Sequence, residues 1–232
     1  KWPATHVFGL IQGAFTPASE IKDLITGKAG SSFISSTNET ALNTMRDWIT
    51  KGYFTKGFDG ASADDATAKF AAGNGLFYMG GTWFGGTIGE GLGEDAGFMA
   101  NPPGASGKHA GTGSYGLGWH ISSKTDALSA SVAFVAMIMD PAFAPSLASL
   151  DRIPSATATL EASSALLKDM QDAGKKMFQD AGLTFYLDWS TDTMYDVYTA
   201  KLQEFMAGKI KAAEIMQAIQ DNWDTFQKSR NG

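Results

Sequence analysis

A helix end, a short apolar run and a tryptophan set among glycines follow one another in residues 69–86, KFAAGNGLFYMGGTWFGG, and this order constrains the fold more than any other part of the chain. Gly73 and Gly75 bracket Asn74 directly after an apolar-faced helix. That arrangement suits a left-handed C-cap, because glycine reaches positive φ without a Cβ clash. Residues 76–79 are apolar throughout and bounded by glycine, which predicts a short central strand buried on both faces. An open α/β sheet places its ligand crevice at the carboxyl end of such a strand, so Trp83 is expected on the rim. A tryptophan among glycines has little side-chain cover, and its face suits a flat apolar partner such as the C–H side of a sugar ring. Packing of Trp83 beneath a loop is the competing structural reading.

Helical signals surround this stretch. Residues 3–15 are apolar with little charge and predict a buried helix despite Gly9 and Gly13. Ser36-x-x-Glu39 matches a capping box, and Ala41, Leu42, Met45, Trp48 and Ile49 then share one face until Gly52. Trp48 lies on that face as a core residue. Ser62-x-x-Asp65 repeats the start signal for a helix ending at Gly73. The glycines of 80–97 predict a loop with tight turns, and 97–100 a short strand before Pro102-Pro103. Leu117, Trp119 and Ile121 alternate with Gly118 and His120, the period of a strand. A helix follows over 124–140, with Leu128, Val132, Val135 and Ile138 expected inside, and a short one over 142–150. Leu166, Leu167, Met170, Met177 and Phe178 mark a helix within 160–178, and a strand is expected over 183–187. Met194, Val197, Tyr198, Leu202, Phe205 and Met206 define one further helix. Ile215, Met216, Ile219, Trp223 and Phe226 define another after Gly208. Helices interspersed with short strands indicate an α/β architecture.

The charge of −6 and the lack of a Lys/Arg block argue against a nucleic-acid partner. With no cysteine, disulfides, thiolate metal sites and cysteine nucleophiles are excluded together. The longest apolar run, within 130–139, is too short to span a bilayer. His6, His109 and His120 show no i, i+4 pairing, so no metal is expected and they read as structural or surface residues. The nearest match to a serine-nucleophile elbow, around Ser114, lacks the first glycine of the motif. Residues 91–96 match a G-x-G-x-x-A string without the strand and helix a dinucleotide site needs. No cofactor is expected. Two alternatives remain open: a glycan hydrolase using carboxylates such as Asp188 and Glu90, and a protein-interaction domain that presents its exposed aromatics.

The order of these signals resembles the extracellular solute-binding proteins of carbohydrate ABC importers, family 1, the group that includes maltose-binding protein. It runs from Lys51-Gly52-Tyr53-Phe54 through residues 70–83, Pro102-Pro103, the glycine-rich 111–118 and Ile153-Pro154. It closes on Ala207-Gly208-Lys209-Ile210 and Ile219-Gln220-Asp221-Asn222-Trp223. The resemblance implies a type II periplasmic-binding-protein-like α/β fold that closes on a sugar or oligosaccharide, delivers it to ABC permease subunits, and catalyses nothing. Trp83 matches the aromatic that lines the family's sugar site. Ser114, Tyr115 and Gly116 match the loop at the interlobe crossing, and Tyr195 lies near a further stacking position, although it equally suits helix-face packing. Asp188 and Trp189, at the end of an expected strand, join the candidate ligand-binding residues on the residue reading alone.

The family's chain normally begins with a whole lobe that has no counterpart before Lys1, so this sequence looks like the C-terminal part of a longer protein. Residues 1–116 and 151–232 would form the C-terminal lobe. Residues 117–150 would be the crossing and a segment that usually packs in the N-terminal lobe. The resemblance also implies a bacterial, extracytoplasmic and monomeric protein, exported or lipid-anchored.

Overall fold

The computed structural model describes residues 2–114, 118–149 and 161–231. The chain begins with α1 (Trp2–Phe15), α2 (Ala18–Ile25), α3 (Ser36–Thr50), α4 (Ala63–Ala71) and α5 (Gly85–Leu92). It continues with α6 (Leu128–Met139), α7 (Ala144–Ala148), α8 (Ala165–Gln179), α9 (Met194–Met206) and α10 (Ala212–Asn231). Short 3-10 turns occur at Thr82–Phe84, Gly93–Asp95, Pro141–Phe143 and Leu187–Trp189.

The larger core forms where α1, α2, α3, α9 and α10 bring their apolar stripes together. Ile215, Ile219 and Trp223 recur every four residues along α10, and Met194, Tyr198, Leu202 and Phe205 every three or four along α9, so each helix turns one continuous face inward. Phe8 and Ile11 of α1 close over them. The fully buried Tyr198 hydroxyl donates to the Thr5 carbonyl at 3.4 Å, and the Trp223 indole N–H to the Leu24 carbonyl at 2.8 Å, so neither ring carries an unmet polar atom inside. A second, smaller core joins Ala96 and Ala148 to Leu166, Leu167 and Met170 of α8, with Ile88 and Leu92 of α5 against it.

Serine side chains cap the starts of α3, α4 and α8. Ser62 accepts from the Asp65 N–H at 3.1 Å while its own N–H donates to the Asp65 carboxylate at 3.3 Å, the reciprocal pair expected for α4. At α3 the cap falls one residue before the expected Ser36: Ser35 Oγ accepts from the Asn38 N–H. The frame is set by Asn38, which is buried. Its carbonyl oxygen accepts from Gln12 Nε2 at 2.8 Å and Thr16 Oγ1 at 3.0 Å, and its amide donates to the Phe33 carbonyl. Satisfying these groups inside outweighs a surface bond from Glu39.

The strands expected from the sequence do not form among the described residues. The only β pairing there is one parallel bridge, Gly111 to Leu183. Residues 76–79 form no strand and are not buried: Leu76 is 90% and Phe77 82% exposed, and neither makes a backbone–backbone hydrogen bond among the described residues. A strand is defined by its neighbour, and an apolar run between glycines does not encode one. Gly73 and Gly75 take the expected positive φ. Residues 97–100 and 118–121 likewise have no strand partner among the described residues. The glycine-rich 80–97, expected as loop, carries α5 and two 3-10 turns. Tertiary packing explains this: a Cβ on Gly91 would lie 2.4 Å from the Ala71 carbonyl oxygen, so glycine allows α5 to approach α4. In α6 no residue is buried; Leu128 and Val132, expected inside, are exposed, because among the described residues little packs on this helix. Expectations placed on Leu117, Ile153 and Pro154 lie outside the described residues.

Candidate functional site

Trp2 and His6 are four residues apart on α1, so both rings leave the same face, with centroids 4.9 Å apart. The 3-10 turn Thr82–Phe84 brings Trp83 against this pair, 5.8 Å from His6 and 6.2 Å from Trp2. On the other side of His6, Tyr186 lies at 4.9 Å, and Trp189 follows Tyr186 at another 4.9 Å. Phe185 extends the row, nearly parallel to Trp189. Beyond Trp83, the rings of Phe84, Tyr78 and Phe70 continue it. Three elements distant in sequence, the start of α1, the turn after the 76–79 segment and the turn after Leu183, therefore assemble one aromatic ribbon.

The ribbon is anchored from below and open above. A Cβ on Gly81 would fall 2.1 Å from the Trp83 ring, so glycine lets the indole lie flat on the backbone, and Trp83 is still 38% exposed. Trp189 is 47% exposed. These two indoles present open faces, while His6 and Tyr186 between them are half-buried. Tyr78 is held by a 2.8 Å hydrogen bond between its hydroxyl and Thr67 Oγ1, and Tyr186 is hydrogen-bonded to Ser114.

Under the ribbon a hollow of about 10 Å³ is lined by Thr5, His6, Gln12, Tyr186, Asp188 and Tyr198 among others. That is room for about one water molecule, so a larger ligand has to lie on the ribbon rather than in the hollow. Burial pulls the His6 pKa down to about 4, leaving a neutral ring at pH 7. Burial pushes the Asp188 carboxyl up, and it does the same, first among the causes, to the Tyr186 and Tyr198 hydroxyls. A wider surface depression of about 490 Å³ beside α4 is lined by Gly57, Gly60, Ala61, Asp65, Ala68 and Lys69 and holds no aromatic ring.

Of the residues singled out in the sequence, Trp83, Ser114, Asp188 and Trp189 come together here. Trp83 and Trp189 reach the site from 3-10 turns rather than from strand ends. Tyr195, 45% exposed on α9, has no ring partner among the described residues. Tyr115 and Gly116 lie outside the described residues. The sequence reading missed Trp2 and Tyr186 and assigned His6 a structural or surface role. The Trp2/His6 spacing of four on a helix was the signal available. His109, expected to be structural or surface, has its ring and backbone N–H both bonded to Asp180 at 2.7 Å. Among the described residues no three His, Asp or Glu side chains gather as a metal site.

No protein-family model matches this chain, and no curated protein matches it. A solved structure, a chitin oligosaccharide binding protein, superposes with a TM-score of 0.84 at 14% sequence identity, covering 99% of this chain and 58% of the other. The chain thus shares that protein's fold over about three-fifths of its length.

Proposed function

We propose that this chain is the ligand-holding part of the substrate-binding component of a carbohydrate ABC importer, taking an oligosaccharide on the aromatic ribbon. The observation that carries this reading is the pair of open indoles, Trp83 and Trp189, joined through His6 and Tyr186 on a scaffold shaped like an oligosaccharide-binding protein. Sugar rings present flat C–H faces that stack on such indoles, and steps of about 5 to 6 Å between rings suit successive units of a chain. Delivery to permease subunits, an extracytoplasmic location and the absence of catalysis belong to the same proposal, through the resemblance in the order of segments.

A calorimetric panel of neutral oligosaccharides, run beside a reducing-sugar release assay, tests it. Binding without release is expected. Release of reducing ends from the bound sugar would identify a hydrolase instead, and no heat with any glycan would remove the carbohydrate reading.

A further inference from the structure

Asp188 stands on the 3-10 turn between the buried Leu187 and the open Trp189, and it lines the hollow shared by His6, Tyr186 and Tyr198. Its carboxylate is half-buried, a position a charged group usually occupies only with a cation beside it. Among the described residues it has no ion-pair partner. Lys22, the ammonium on this side of the molecule, is engaged by the Ala181 carbonyl and lies over the Phe185 ring instead. His6 is the one base lining the hollow, and its burial keeps it uncharged at neutral pH. Tyr186 and Tyr198 supply neutral hydroxyls. When ionised, Asp188 is therefore a carboxylate without an ion-pair partner among the described residues, on the turn that carries Trp189 and in the hollow that Tyr186 also lines. The carboxylate and these rings together attract a cation that is also flat and partly apolar. A bare divalent ion would need several further oxygen ligands that the described residues do not gather.

Resting on the carbohydrate reading above, we propose that the ribbon selects amino sugars with a free ammonium group over their N-acetylated or hydroxyl counterparts, with Asp188 receiving the ammonium while Trp83 and Trp189 stack the rings. The chain's net charge of −6 further favours the approach of a cationic ligand. A carboxylate that must be ionised to act implies that affinity for the amine rises with pH as Asp188 gives up its proton, above the ordinary carboxylate range, whereas a neutral sugar shows no such rise.

The test titrates the intact chain with the N-acetylglucosamine trimer, the fully deacetylated glucosamine trimer and cyclohexylamine, followed by tryptophan fluorescence at pH 4.5 and 6.5 and at low and high salt. At pH 6.5 and low salt the glucosamine trimer is expected to bind about tenfold tighter than the acetylated trimer. The preference should shrink at pH 4.5 and in high salt, and fall to about one in Asp188→Asn. The salt and pH dependence of the unmodified chain decides the matter even where that variant folds poorly. Equal binding of the two trimers, or a preference unmoved by salt and by pH, overturns the proposal while leaving sugar binding in place. Cyclohexylamine binding as tightly as the glucosamine trimer overturns it too, showing an ammonium site with no use for the sugar. Failure of both trimers to bind overturns the proposal, and failure of the neutral-oligosaccharide panel as well would remove the carbohydrate reading itself.

Discussion

Acidification from pH 7 to pH 5 should destabilise the fold through one ring, His6. In the unfolded chain this imidazole titrates near its ordinary 6.5, whereas burial between Trp2 and Tyr186 holds it at about 4 in the folded protein. Between those two values the unfolded state takes up a proton that the folded state refuses, so stability is lost as pH falls through the window from 6.5 to 4. For a fully enclosed ring, linkage over the two pH units gives a loss of roughly 2 kcal/mol, and because His6 is only half-buried, solvent screening reduces this to about 1 kcal/mol. For a chain of this size that corresponds to a fall of about 3 °C in melting temperature. Asp188 acts in the opposite direction: its raised pKa adds stability as the pH falls. The quantity to measure is therefore the difference between wild type and His6→Gln in thermal melts at pH 7, 6 and 5, which cancels the carboxylates. The wild type should lose about 1 kcal/mol more than the variant between pH 7 and 5. Parallel pH dependence in the two proteins would refute the placement of His6 in a desolvated ring stack.

Gly81→Ala puts a methyl where the Trp83 ring now lies, so the indole must swing away; glycan affinity should fall severalfold while the melting temperature moves by only about 1 °C, read by paired titration and melting. Leu202→Ala, in the fully buried seam between α9 and its neighbours, should cost about 2 to 5 kcal/mol in urea denaturation without altering the slope of the transition. Ser62→Ala removes the reciprocal cap of α4 and should cost about 1 kcal/mol, visible as faster amide hydrogen exchange confined to the first turn of that helix.

The helices that the sequence made legible are those whose apolar spacing is matched by a buried face, as in α3, α8, α9 and α10, because periodicity is itself the record of one-sided packing. α2 escaped notice: it is short, begins after Pro17 without a side-chain cap, and its buried Ile21, Leu24 and Ile25 span barely two turns. The strands failed for a different reason. Residues 76–79 have the composition of a buried strand, but pairing is a non-local property, and no described segment lies beside Leu76 or Phe77 to hydrogen-bond them. At the site, Trp83 was legible because an aromatic among glycines has few local partners. The partners it finds, Trp2 and His6, come from a helix some eighty positions earlier, and nothing in either segment names the other.

Titration of a neutral oligosaccharide into wild type and Trp83→Ala, with the melting temperature of each recorded in the same buffer, tests the aromatic ribbon most directly. The wild type should bind and the variant should bind about thirtyfold more weakly, a loss of about 2 kcal/mol, with melting temperatures that agree within about 1 °C. Equal affinities would contradict the assignment of Trp83 as a stacking platform, and a loss accompanied by a fall in stability of about 3 kcal/mol or more would show the indole to be core instead.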